Sequence, residues 1–212
     1  GDYFHSVRSF FEQDRLEILA SAVSQSLDRT IDPDEIEEIR ICLEKHGEFY
    51  HPSRIVDRVN GAVISFVVNV AVSPKGREFI LNEFRLLQRL NTDFTYPFIP
   101  KVHYQGDVSI KNGDVTLPMF LGEWFEGFNE FHISNDKTDN KRKILIWDSE
   151  KGNYFLSPDN TLELYRQAAM ILTGYYNIET FEQIFPWHHA AGDFVIRLQN
   201  NKAELKLVTV RQ

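Results

Sequence analysis

The chain has one cysteine, Cys42, which excludes a disulfide framework and fits a reducing, cytoplasmic location. Long apolar runs are also missing. The longest near-continuous one, Ala62 to Val72, is broken by Ser65 and Asn69, so no segment is long enough to span a bilayer. The N-terminus, Gly1-Asp2-Tyr3-Phe4-His5, lacks the basic region and apolar core of a signal peptide. Positive charge is scarce: 23 Lys and Arg stand against 31 Asp and Glu, a net charge of −8. Such a chain repels phosphate backbones and anionic lipid surfaces unless it gathers a basic patch. The densest basic run, Lys141-Arg142-Lys143, lies beside Asp136, Lys137 and Asp139 and reads as a solvated loop. Neither nucleic acid nor membrane is an expected partner.

What is present is the composition of a globular protein, with 42% apolar and 13% aromatic residues in 212. The first fifty residues read as two helices. Val7, Phe10, Phe11, Leu16, Leu19, Val23 and Leu27 recur at helical spacing. Asp32, Pro33 and Glu35 form a start signal for the second, with Ile36, Ile39 and Leu43 as its stripe and Gly47 as its stop. The period then changes. Arg54–Val59 and Ala62–Ser73 are β-branched runs joined by Asn60-Gly61, a strong hairpin signal. Ser73-Pro74 opens a helix to about Leu90, and strands are expected over Lys101–Asp107 and Val115–Glu123 around Asn112-Gly113. A polar loop, Ser134–Lys141, leads to a hairpin of Ile144–Trp147 and Tyr154–Leu156. A helix from about Asn160 to Tyr176, a shorter one near Phe181, and a hairpin of Phe194–Gln199 and Glu204–Val210 complete an α+β chain.

Four stretches carry a resemblance: Phe66-Val-Val-Asn-Val-Ala71, Asn82–Leu90 with Glu83, Ile99-Pro-Lys-Val-His-Tyr-Gln-Gly106, and Gly122-Glu-Trp-Phe-Glu-Gly127. In the order hairpin, strand, helix, strand, strand, hinge, the chain resembles the small lobe of protein kinases and aminoglycoside-phosphotransferase-like kinases. The resemblance covers roughly a third of the chain. It implies an N-terminal helical segment over 1–50, a small lobe and hinge over 51–127, and a partial large lobe over 128–212 that stops after the catalytic-loop region. It also implies ATP and Mg²⁺ as cofactors, with backbone contacts from Glu123, Trp124 and Phe125.

The match departs from the family's chemistry. Phosphoryl transfer needs positive charge on the phosphates, a metal-holding carboxylate and a group that orients the nucleophile. At the expected lysine stands Asn69, which leaves Glu83 without its usual partner, and the glycine-rich loop is represented by Gly61 alone. Pro186–Ile196 resembles the catalytic loop, with His188 at the base position and Asp193 at the metal-ligand position. Thr209 is the polar candidate where the second metal-holding aspartate is expected. The resemblance thus implies a weak or lapsed phosphotransferase that still holds a nucleotide, its site built by convergence of Asn69, Glu83 and Asp193 beside the 122–127 segment. A second reading is a non-catalytic interaction module that takes a protein partner or a second copy. A third is a metal-dependent hydrolase using His188, His189 and Asp193.

Overall fold

A computed structural model of the protein describes residues 2–45, 47, 49–110, 115–184 and 192–210. The architecture is α+β, and the chain divides into two compact units, residues 1–88 with 101–124, and residues 89–100 with 125–212.

The first unit opens with two helices, α1 (Asp2–Glu12) and α2 (Glu17–Leu27), where the periodicity predicts one. The apolar stripe is continuous, but the backbone breaks at Arg15 (φ 48) and Leu16 (φ 67), two non-glycine residues in the left-handed region. The predicted second helix is a strand. Its capping box is real, with the Asp32 side chain accepting from the Asp34 N–H and Glu35 from the Asp32 N–H, yet it caps only a 3₁₀ turn, Pro33–Glu35. The chain then runs out as β1 (Ile36–Leu43). A register shift between Ile36 and Glu38 explains the misreading. One extra residue puts Ile36 and Ile39 against the same core despite their odd spacing, so the strand mimics helical periodicity.

β2 (Tyr50–Val59) and β3 (Ala62–Ala71) follow as predicted, turning at Asn60 (φ 50) and Gly61 (φ 77). Helix α3 (Pro74–Asp93) begins where Ser73 accepts the Gly76 N–H. Strands β4 (Val102–Ile110) and β5 (Val115–Glu123) are also as expected; the Asn112-Gly113 turn lies outside the described residues. The five strands form one antiparallel sheet in the order β1-β2-β3-β5-β4. One face, carrying Ile55, Val59, Phe66, Val68, Val70, Met119 and Leu121, is covered by α1 and α2 through Val7, Phe10, Phe11, Leu19 and Val23. The other receives α3, whose Phe84 ring meets Phe120 at 5.9 Å between centroids.

The second unit holds a three-stranded sheet in the order β6-β7-β8, with β6 (Glu130–Asp136), β7 (Lys141–Trp147) and β8 (Tyr154–Phe155). Half of the polar stretch predicted as a loop is therefore strand, and the turn itself is confined to 137–140. It turns tightly because Asp136 accepts from the Thr138 N–H and hydroxyl and pairs with Lys143 at 2.7 Å. Helix α4 (Pro158–Gly174) starts at the Ser157 cap. The short helix predicted near Phe181 is a turn instead: Asn177 accepts from the N–H groups of Glu179 and Thr180 and so competes with helical bonding. The hairpin β9 (Phe194–Gln199) and β10 (Lys202–Leu207) turns at Asn200 and Asn201, both with positive φ. It is tied to α4 by the Gln167 amide, which donates to the Ala203 carbonyl and accepts the Leu205 N–H. Among the described residues no helix is long and apolar enough to cross a membrane.

Candidate functional site

Within the first unit, side-chain alternation assigns the sheet's α3-facing side. Asn69 pairs with Pro52 and Phe120, and Arg54 pairs with Val67, which pairs with Gly122; these residues therefore share the side opposite the α1–α2 layer. Asn69 is half-buried there. Glu83 is 5% exposed and lies on the inward stripe of α3 with Ile80, Leu87 and Leu90. Asn69 and Glu83 thus belong to one side of one sheet. The arginine described on that side closest to Asn69 in the strand pairing is already engaged. The Arg54 guanidinium pairs with Glu44 at 3.0 Å and lies 5.5 Å from the Trp124 ring centre.

Gly61 is an exposed turn residue between β2 and β3, where its positive φ suits a tight hairpin. The loop joining β1 to β2 lies earlier in the chain, at 44–49, and carries Gly47. Its end is pinned to the start of α3. The Phe49 carbonyl accepts the Val72 N–H at 3.2 Å and presses so closely on Gly76 that a Cβ there would collide with it. Lys75 sits with its ammonium 5.6 and 5.5 Å from the Phe49 and Phe79 rings, so the cation nearest in sequence to Asn69 closes this junction.

Glu123 ends β5 with both its backbone and its side chain engaged. Its N–H donates to the Lys101 carbonyl at 2.8 Å, and its carboxylate accepts the Lys101 N–H at 3.1 Å. Trp124 is half-buried under Arg54.

The remaining predicted residues fall in the second unit. Phe125 packs on Phe128 at 5.7 Å, and both rings lie near the Lys206 ammonium, which donates to the Pro97 carbonyl. Arg197 lies 4.6 Å from the Phe128 ring centre and pairs with Glu204 at 2.7 Å, clamping the 125–128 segment to the β9–β10 hairpin. Asp193 is 8% exposed and stands just before β9, its carbonyl accepting the Val208 N–H at 2.7 Å. Thr209 is half-buried beyond β10. His188 and His189 lie outside the described residues, as does the whole 185–191 stretch. Among the described residues no group of three or more His, Cys, Asp or Glu side chains is arranged to hold a metal ion.

No family model matches the sequence, and no curated protein matches it either.

Two groups were missed by sequence reasoning. Asp57 is completely buried on the helix-covered face of the sheet, neither carboxylate oxygen has a hydrogen-bond partner, and burial pushes its pKa up to about 7. The signal was an acid at an inward position of an alternating strand, between Ile55 and Val59. His103, on β4, contacts the Phe66 ring edge-on and pairs through Nδ1 with Gln25; burial, helped by nearby Lys101, lowers its pKa to about 4.

Proposed function

We propose that this chain is a kinase-like protein, a weak or lapsed phosphotransferase that retains a nucleotide site on the α3 side of its first sheet. The observation carrying this reading is the element order. A β1–β2 hairpin, a third strand, a helix packed on one sheet face, two further strands and a chain exit at 124–127 follow one another as in a kinase small lobe. Glu83 on the inward stripe of α3 and Asn69 on β3 support it, since both occupy the side of the sheet that the reading requires.

The same side explains why activity would be weak. An amide at position 69 can hydrogen-bond a phosphate oxygen but supplies no charge, and the usual cation makes the stronger, charge-assisted bond. Lys75 is held between two rings, and Arg54 is neutralised by Glu44. The residues therefore fit ATP in part: the Asn69 amide can bond a phosphate oxygen, while Lys75 and Arg54 are engaged elsewhere and Glu123 already commits its N–H and carboxylate to Lys101.

The test is thermal unfolding with and without Mg²⁺ and about 5 mM ATP, on the wild type and on Asn69→Lys. A rise in melting temperature is expected, larger in the variant, whose added cation tightens binding roughly tenfold to hundredfold. No shift in either protein would sink the reading.

A second reading, an interaction module on the same fold, is favoured by one observation. Helix α4 exposes Leu162 (72%), Tyr165 (42%) and Met170 (41%) on its solvent side, interspersed with polar Arg166. Light scattering over a concentration series, with Leu162→Glu as control, distinguishes this reading: association lost in the variant and indifferent to nucleotide supports it.

A further inference from the structure

The α1–α2 layer of the first unit covers a fully buried acid. Asp57 alternates with Ile55 and Val59 on the covered face of β2, and its cross-strand neighbours Ile39 and Ile64 pack against the same core. The cover has a break and a gap. Arg15 and Leu16 link α1 to α2 in left-handed backbone, a conformation that costs energy in non-glycine residues. Between α1 and β1 lies a cleft of about 810 Å³, with Phe4, Phe11, Leu16, Ile36, Ile39 and Ile41 among its lining. Helix α1 is therefore incompletely packed along the edge strand nearest to Asp57.

We propose that docking of the α1–α2 layer is proton-dependent through Asp57: the layer lies closed while this carboxyl holds its proton and lifts about the 13–16 link as the proton leaves to solvent.

The charged groups around the layer do not offset a buried carboxylate. His5, Arg8 and Glu12 of α1, Arg15 of the link, and Glu37 and Glu38 of β1 line the cleft, and Arg8 is engaged by Glu12 at 2.6 Å. The buried face of α2 is Ile18, Leu19, Ala20, Ala22 and Val23, and Asp57's neighbours on β3 are Ile64 and Phe66. Tyr3 of α1 shares a hydrogen bond with Ser53 and donates to the His51 carbonyl. Arg54 and Arg58 point to the other side of the sheet by alternation. Burial is accordingly the whole cause of Asp57's displacement from its ordinary 3.8 to about 7. Two histidines also lie beneath the helices: His51, on the covered face of β2 with its ring 5.9 Å from that of Tyr3, and His103, whose lowered pKa gives the opposite slope. His103 is half-exposed and bonded to Gln25 of α2, and its own protonation favours opening only as pH falls toward about 4, below the interval in which Asp57 acts.

The sign follows from linkage. The closed layer holds the proton and the open one releases it, so opening is least favoured below about pH 4. It becomes about tenfold more favourable per pH unit up to about 7 and levels off beyond.

Amide hydrogen exchange of α1 and α2 at pH 5 and pH 7, corrected for intrinsic rates, tests this in wild type and Asp57→Asn. His51 and His103 are common to both proteins and cancel. The ratio of the two proteins' opening constants is expected to rise roughly fiftyfold across that interval. An unchanged ratio overturns the proposal, as does exchange of α1–α2 only in step with β3 and β5, which is global unfolding. Should the variant fail to fold, the ¹³C carboxyl resonance of Asp57 in the wild type decides. A midpoint near 7 supports the device, and one near the ordinary carboxylate value removes it.

Discussion

Gly76 illustrates how a residue's worth depends on what touches it. By helix propensity alone, alanine in the first turn of α3 is better than glycine. The Phe49 carbonyl, however, closes over this position and leaves no room for a Cβ. Gly76→Ala is expected to destabilise the protein by about 1–3 kcal/mol, read as a lower urea midpoint with unchanged slope. A gain in stability would mean that the 44–49 loop is not seated on α3. At this scale the sequence was uneven. Asn69 and Glu83 could be assigned to a strand and a helix by period, and both lie there. Asp57 went unread because a charge in a strand ordinarily faces water, and only Ile55 and Val59 on either side marked its position as inward.

At the scale of elements, the ends are informative. Helix α2 stops at Asp28, which holds φ 51 and donates its N–H to the Ser24 carbonyl. A left-handed stop is where glycine is least strained, so Asp28→Gly is expected to raise stability by about 0.5–1 kcal/mol, measured as a higher melting temperature. Turn chemistry was the most legible part of the fold: Asn60-Gly61, Ser73-Pro74 and Asn200-Asn201 each mark the boundary they predict. Capping chemistry misled once. The Asp32–Glu35 box satisfies the donors of any short helical turn, and it does not specify how far the helix continues. The bulged run of isoleucines in β1 then supplied a false helical period.

For the whole molecule, acid is the condition that separates its parts. Asp136 is held at about 2 by the Lys143 ammonium and the Thr138 donors, and Glu163 at about 2 by Arg166 and Gln167. Lowered carboxylates contribute stability above their unfolded values and lose it as pH falls through the folded ones. The urea midpoint is therefore expected to drop between about pH 4 and pH 2, and Lys143→Met, which removes the ion pairs to Asp136 and Asp139, should flatten that limb. An equally steep limb in the variant would show that those pairs carry none of it. The fold class and most strands were readable from pattern because each face is buried against something. The ordering of the strands was not, since pairing partners leave no mark on local periodicity.

That ordering has a kinetic consequence. Three of the sheet's four ladders, β1–β2, β2–β3 and β4–β5, join strands adjacent in sequence, whereas β3–β5 must bridge α3 and β4. The sheet is two ribbons zipped along a single seam, with Val68 opposite Leu121, both fully buried. Closing the seam costs the entropy of the intervening loop before any contact returns it. Truncating Val68 should therefore slow refolding in a chevron experiment, while truncating the hairpin residue Ile55 should mainly hasten unfolding.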